Sequence, residues 1–186
     1  MNISYGITVY NEADELNKLL EVLVHKTDAE DEIIVCVDDT NGEDDAVRFV
    51  LDSWTQQYAH TKMIKVYQRK LNKDFAAQKN SVIENAVGDY IFHGMKDEHI
   101  NRWGWRVTEK GWVNYPDYQA RVFRRDSEIR WERPLHEVIR GYKTYSHLPP
   151  NEELSLYHPK TIERQEEQNM FYNKNFSREM NVRRGV

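Results

Sequence analysis

EIIVCV, residues 32–37, is the stretch on which the fold turns. It is a short, nearly unbroken apolar run that stops at two acids, Asp38 and Asp39. A strand with one wet face alternates apolar and polar residues, whereas a continuous run suits a strand covered on both faces. Upstream, ISYGITVY (3–10) is apolar and rich in β-formers. NEADELNKLLEVLVHK (11–26) follows, with Leu16, Leu19, Leu20, Leu23 and Val24 at the spacing of a helix with one buried stripe. Asn11 stands at the turn, where its side chain is expected to cap that helix. Downstream, DDTNGEDD reads as a loop, and Val47, Val50, Leu51 and Trp54 mark a second helix. KMIKVY (62–67) is a third strand, and Phe75, Ala76, Val82, Ile83 and Ala86 mark a third helix that Gly88 is expected to end. DYIF (89–92) is a fourth strand.

The order β-α-β-α-β-α-β predicts an open, mostly parallel sheet with helices on its faces. Ligands bind such sheets at the carboxyl ends of the strands. The loops there are Tyr10-Asn11-Glu12, Asp38-Asp39-Thr40, Gln68-Arg69-Lys70 and His93 to Glu98. A carboxylate at 38 or 39 can accept a nucleobase imide or ribose hydroxyls, or it can simply cap the next helix. Arg69, Lys70, Lys73 and Lys79 can neutralise a diphosphate, or form a solvated basic face.

The second half differs in composition. DYQARVFRR (117–125), EIRWE (128–132), EVIRGY (137–142) and ELSLYH (153–158) read as short strands. PKTIERQEEQNMFYNKNF (159–176) reads as a polar helix with Pro at its start. The division expected is one domain over 1–186, with a nucleotide-binding half at 1–93 and an acceptor-side half plus C-terminal helix at 94–186. A chain of 186 residues is long enough for one real core and short for two.

The net charge of −5 argues against a general polyanion binder, and no nucleic-acid partner is expected. The single cysteine, Cys36, excludes a disulfide framework and a Cys-rich zinc site, and reads as a small buried hydrophobe. Residues 1–12 lack the basic and apolar regions of a signal peptide, and no apolar run reaches membrane-spanning length. A cytoplasmic protein is expected, in which the sequons at Asn2 and Asn175 are chance matches. Neither G-x-G-x-x-G nor G-x-x-x-x-G-K-[ST] occurs, which argues against a dinucleotide dehydrogenase and a P-loop enzyme.

Five segments in order carry a resemblance. GITVYNEADEL, VCVDDTNGEDD, KDFAAQKNSVIENAVGDYIF, RVFRR…IRWERPLHEVI and LYHPKTIERQEEQNMFY together resemble a family 2 glycosyltransferase with the GT-A fold. The resemblance implies an α/β, Rossmann-like, mostly parallel sheet flanked by helices, with a smaller mixed-β acceptor side. It implies a nucleotide-diphosphate-sugar donor, most often a UDP-sugar, and a saccharide or other hydroxyl acceptor. Thr8, Asn11, Glu12, Asp38 and Asp39 would line the donor pocket, and Lys79 stands where the family usually has an arginine. Glu137 would be the base of a single inverting displacement. Asp97 and His158 would hold a divalent cation, Mn²⁺ or Mg²⁺, that stabilises the departing diphosphate. Trp103, Trp105 and Trp112 would build the acceptor side, stacking on a sugar ring or packing on the sheet.

One departure stands out in GDYIFHGMKDEH (88–99). Where the family has D-x-D after this strand, the register offers Met95-Lys96-Asp97-Glu98. In one alignment Asp97 is the surviving metal ligand. In the other, KDEHINRWGW matches a segment well downstream, and the block that carries the metal motif is missing. The compact length favours the second. The rival function is a catalytically inactive GT-A-like binding or partner module, and a sheet edge bared by a missing strand leaves a homo-oligomer open. A nucleotidyltransferase would need a Gly-rich phosphate loop, which YNEADE is not.

Overall fold

The computed structural model describes residues 1–42, 44–61, 63–93, 109, 120–150, 161–178 and 180. Strand β2, Glu32–Val37, is buried at every position, as its nearly unbroken apolar run suits, with Glu32 buried at its start. It lies between β1, Ile3–Val9, and β3, Met63–Gln68, and both pairings are parallel. β4, Tyr90–His93, runs parallel on the other side of β1. β5, Val122–Arg124, joins β4 antiparallel, so the sheet order is β3-β2-β1-β4-β5. A short antiparallel hairpin of β6, Arg130–Glu132, and β7, Val138–Arg140, follows.

The period of two in β2 sorts its side chains onto two cores. Ile33, Val35 and Val37 meet Leu16, Leu20, Leu23 and Val24 of helix α1, Ala13–Lys26, and Val47 and Leu51 of helix α2, Asp45–Gln57. Ile34 and Cys36 face the other way, toward Ala76, Val82 and Ile83 of helix α3, Phe75–Asn85, together with Ile91, Trp131 and Ile139. Cys36 is a buried thiol whose pKa burial pushes up, which agrees with its reading as a small hydrophobe.

Helix starts follow ordinary capping chemistry, with one correction. Asp44 accepts from the Ala46 and Val47 N–H groups at 3.0 Å each, and Asp74 accepts from Ala77 N–H at 2.8 Å. Asn11 does not cap α1. The cap position is Glu12, whose side chain turns back to accept from Tyr10 N–H at 3.0 Å and Asn11 N–H at 3.2 Å. Gly88 does not end α3 either, because Ala86 closes that helix in an extended conformation. Gly88 is small for another reason: a Cβ there would lie 2.7 Å from Ser4 Oγ and 2.8 Å from Ser4 N.

The backbone contacts group Met1–Gly94 with Arg121–Gly141 in one compact unit. The second unit is Met95–Ala120 with Tyr142–Val186, and its described helix is α4, Ile162–Asn175. Thr161 caps α4 by accepting from Arg164 N–H at 3.3 Å, so the helix begins after the Pro159 expected to open it. No helix among the described residues is long and apolar enough to cross a membrane.

Candidate active site

The carboxyl ends of β1, β2 and β3 are level, with Val9 beside Val37 and Val37 beside Gln68. The loops leaving them are tied together. Asn41 Nδ2 donates to Tyr10 Oη at 3.0 Å, joining the first loop to the second. Asp38 Oδ1 accepts from the Thr40 N–H at 2.9 Å and the Leu71 N–H at 3.1 Å, joining the second to the third. Asp38 is therefore partly spent on holding the loops. Asp39 is different. Its Oδ1 is buried and has no hydrogen-bond partner among the described residues. A buried acceptor left open is where a ligand N–H or hydroxyl is needed. Asn11 and Thr8 are exposed, and Thr8 shares the face of β1 that carries Gly6.

Arg69 is held in place at the end of β3. Its guanidinium donates to Gln78 Oε1 at 2.8 Å, and Gln78 Nε2 returns a bond to Arg69 O at 3.2 Å. Gln78 is only 3% exposed, so α3 fixes the direction of this cation.

Farther along α3 the structure unites two residues that the sequence reading assigned to different roles. Lys79 Nζ is 2.9 Å from Glu137 Oε1, and both side chains are well sheltered. The same ammonium lies 4.3 Å from the centre of the Trp131 ring. Trp131 Nε1 donates to His93 Nδ1 at 3.0 Å, at the last residue of β4. Because Nδ1 accepts, the imidazole proton sits on Nε2, which is buried without a partner among the described residues. Burial, with Lys79 and Arg121 adding to it, pushes the His93 pKa down to about 3, so the ring is neutral.

The loops around this cluster are bent in an uncommon way. Asn72 and Lys73 before α3, and Arg133 and His136 between β6 and β7, all have positive φ, from 51° to 74°. The two loops meet where Phe75 N–H donates to Pro134 O at 3.0 Å. Non-glycine residues adopt this conformation where the surroundings impose it, and such positions cluster at functional sites.

The sequence model of Glycosyl transferase family 2 matches residues 4–93, ending at the last residue of β4. Residues 4–93 are similar to glycosyltransferase family 2. Three solved structures show how far the likeness reaches. The mannosyltransferase PcManGT from Pyrobaculum calidifontis, in complex with GDP-Man and Mn²⁺, is 14% identical over 48% of this chain and 25% of its own, with a TM-score of 0.41. S. aureus TarS 1–349 is 20% identical over 50% of this chain and 27% of its own, with a TM-score of 0.40. The same protein in complex with UDP is 19% identical over 50% of this chain and 27% of its own, with a TM-score of 0.37. The alignments thus span about a quarter of the length of each structure. No curated protein matches the chain.

The described structure brings Glu12, Asp38, Asp39 and Asn11 to one edge, and puts Lys79 against Glu137, which lies beyond the matched residues. Asp97, His158, Trp103, Trp105 and Trp112 lie outside the described residues. Among the described residues, no three His, Cys, Asp or Glu side chains converge as a metal ion requires. The sequence reading missed Gln78, Asn80 and Trp131, and named His93 only as the start of a strand-end loop. Gln78 and Asn80 carried one signal, as polar residues interleaved with an apolar helix stripe. Trp131 gave none, since an aromatic in a short strand reads as packing.

Proposed function

We propose that this chain transfers a sugar from a nucleotide-diphosphate donor, with UDP-sugar the first choice, to a hydroxyl acceptor. The observation that carries this reading is the 2.9 Å pairing of Lys79, inside the family 2 match, with Glu137, beyond it. Single displacement needs a cation for the departing diphosphate and a carboxylate for the incoming hydroxyl within reach of one anomeric carbon. The acceptor oxygen attacks that carbon, and the bond to the diphosphate oxygen breaks on the opposite side. Glu137 takes the acceptor proton, and the anomeric configuration inverts. Asp39, with its open buried oxygen, and Asp38 serve the nucleoside, with Thr8, Asn11 and Glu12 beside them. Lys79 and Arg69 offset the diphosphate charge.

A divalent cation held by Asp97 and His158 belongs to the proposal as further charge compensation for the diphosphate. Trp103, Trp105 and Trp112 belong to it as the acceptor side.

Thermal unfolding with UDP and with GDP, each with and without Mn²⁺, is the first test. A diphosphate at about 100 times its dissociation constant adds roughly 2.7 kcal/mol. Turnover of the matching nucleotide sugar is then followed by release of the diphosphate. Glu137→Gln should lose about 100-fold or more in turnover while diphosphate binding persists. The reading fails if neither diphosphate shifts the unfolding curve in either condition. The rival, an inactive binding module, draws on Met95 in the D-x-D register and predicts a shift with no turnover.

A further inference from the structure

Trp131 touches the site with two opposite parts of one side chain. Its indole N–H reaches His93 on β4 at 3.0 Å, and its ring face carries the Lys79 ammonium at 4.3 Å. The side chain has little freedom to turn away. Trp131 is 8% exposed, and the Asn80 amide clamps its backbone, with Nδ2 to Trp131 O and Trp131 N–H to Oδ1, both at 2.8 Å. The edge of Phe123 closes against it, with ring centres 6.2 Å apart. Asn80 follows Lys79 directly on α3, so one turn of helix fixes both the ring and the cation that rests on it.

Lysine is a compact charge on a flexible stem, and an ion pair alone does not fix where its ammonium sits. With only Glu137 as partner, Lys79 would move with that carboxylate and be lost to the donor when Glu137 turned to an acceptor hydroxyl. A ring face attracts the ammonium independently of the carboxylate, and more strongly where water is excluded. The His93 bond keeps the ring from rotating out from under the charge. It also orients the ring from the strand whose end opens toward the donor side of the sheet.

We propose that Trp131 is a positioning residue of this site: its ring seats the Lys79 ammonium for the donor diphosphate, and its indole N–H locks that ring to His93 at the end of β4. The proposal rests on the glycosyltransferase reading given above and adds to it a residue that acts through Lys79 rather than on substrate.

Calorimetric titration of the full chain with UDP and GDP, and with uridine and guanosine, tests it. Trp131→Leu removes both contacts and should weaken the better-bound diphosphate about tenfold. The matching nucleoside, which has no phosphate for Lys79 to meet, should bind as in the parent. In a Lys79→Met background, Trp131→Leu should cost no further affinity. Trp131→Phe keeps a ring face and should lose less than Trp131→Leu. If Trp131→Leu does not fold, Trp131→Met fills the space without a π face and carries the same expectation. Diphosphate and nucleoside weakened alike would overturn the proposal, as a merely structural role predicts that outcome. Unchanged diphosphate affinity would overturn it too, while leaving the glycosyltransferase reading intact. A parent chain that binds neither UDP nor GDP would remove both.

Discussion

His93 is where one residue ties stability to pH. The folded chain holds it neutral, with a pKa of about 3, whereas an exposed histidine titrates near 6.5. Between those values the unfolded chain binds a proton that the folded chain does not. Stability from this residue is therefore whole above about pH 6.5 and falls as the pH drops toward 3. His93→Gln keeps an acceptor for Trp131 and removes the titration. Urea unfolding at about pH 7 and about pH 5 should show a shallower loss for the variant than for the parent. Equal losses would mean that His93 is not held neutral by burial. Gly6 explains the tightness of the seat, since a Cβ there would lie 2.6 Å from His93 Cδ2 and 2.6 Å from Val82 Cγ1.

At the scale of elements, the β6–β7 hairpin is too short to hold itself and depends on α3. Two three-residue strands bury one large side chain each, Trp131 and Ile139. The tether is the Asn80 amide, which pairs with both backbone groups of Trp131 at 2.8 Å. Asn80→Ala leaves a part-buried N–H and C=O without partners and should destabilise by about 2 kcal/mol in urea unfolding. The same substitution should also reduce nucleoside diphosphate binding, since it loosens the ring beneath Lys79. A loss of stability with no loss of diphosphate affinity would separate the hairpin from the site. The tether shows what was legible. The helix was clear from its apolar spacing, and the strand from its β-formers, yet no local pattern paired them.

At the scale of the molecule, the end of the sheet away from the site is closed by a buried charge. Glu32 is 2% exposed and accepts from Ser4 Oγ and Val87 N–H, both at 2.6 Å, while its Oε2 pairs with Lys65 Nζ at 2.8 Å. One carboxylate thus joins β1, β2, β3 and the connection into β4. Burial alone would raise its pKa, but Lys65, Ser4 and the Val87 N–H together hold it below the ordinary value of 4.5. This contribution is present above about pH 4.5 and is lost as the pH falls through the depressed value. Glu32→Gln should cost about 2 kcal/mol at neutral pH, and Lys65 at 36% exposure keeps that figure modest. The variant should also lose less stability than the parent below about pH 4.5, a window distinct from that of His93. Parallel pH curves for the two chains in that window would rule out Glu32 as the acid-sensitive group.

What the sequence determined by itself is the framework: four strands, three crossover helices and the edge where their loops gather. These follow from local causes, the period of two or 3.6 in apolar residues and the acids that cap helices. β2 is the clearest case, since a short apolar run between turn residues suits a strand covered on both sides, and the strand is buried throughout. The roles of Lys79 and Glu137 entered through resemblance, each on its own segment. Tertiary structure alone set them 2.9 Å apart, put Trp131 beneath the lysine, and returned Arg121–Gly141 to the unit built by the first half of the chain. It also showed that Asp38 and Glu12 spend part of their charge on backbone N–H groups. The physical reason is range. Periodicity reports which face of an element is buried, whereas partners such as His93 and Trp131, 38 residues apart, are chosen only when the packed elements leave one geometry in which their polar atoms can meet.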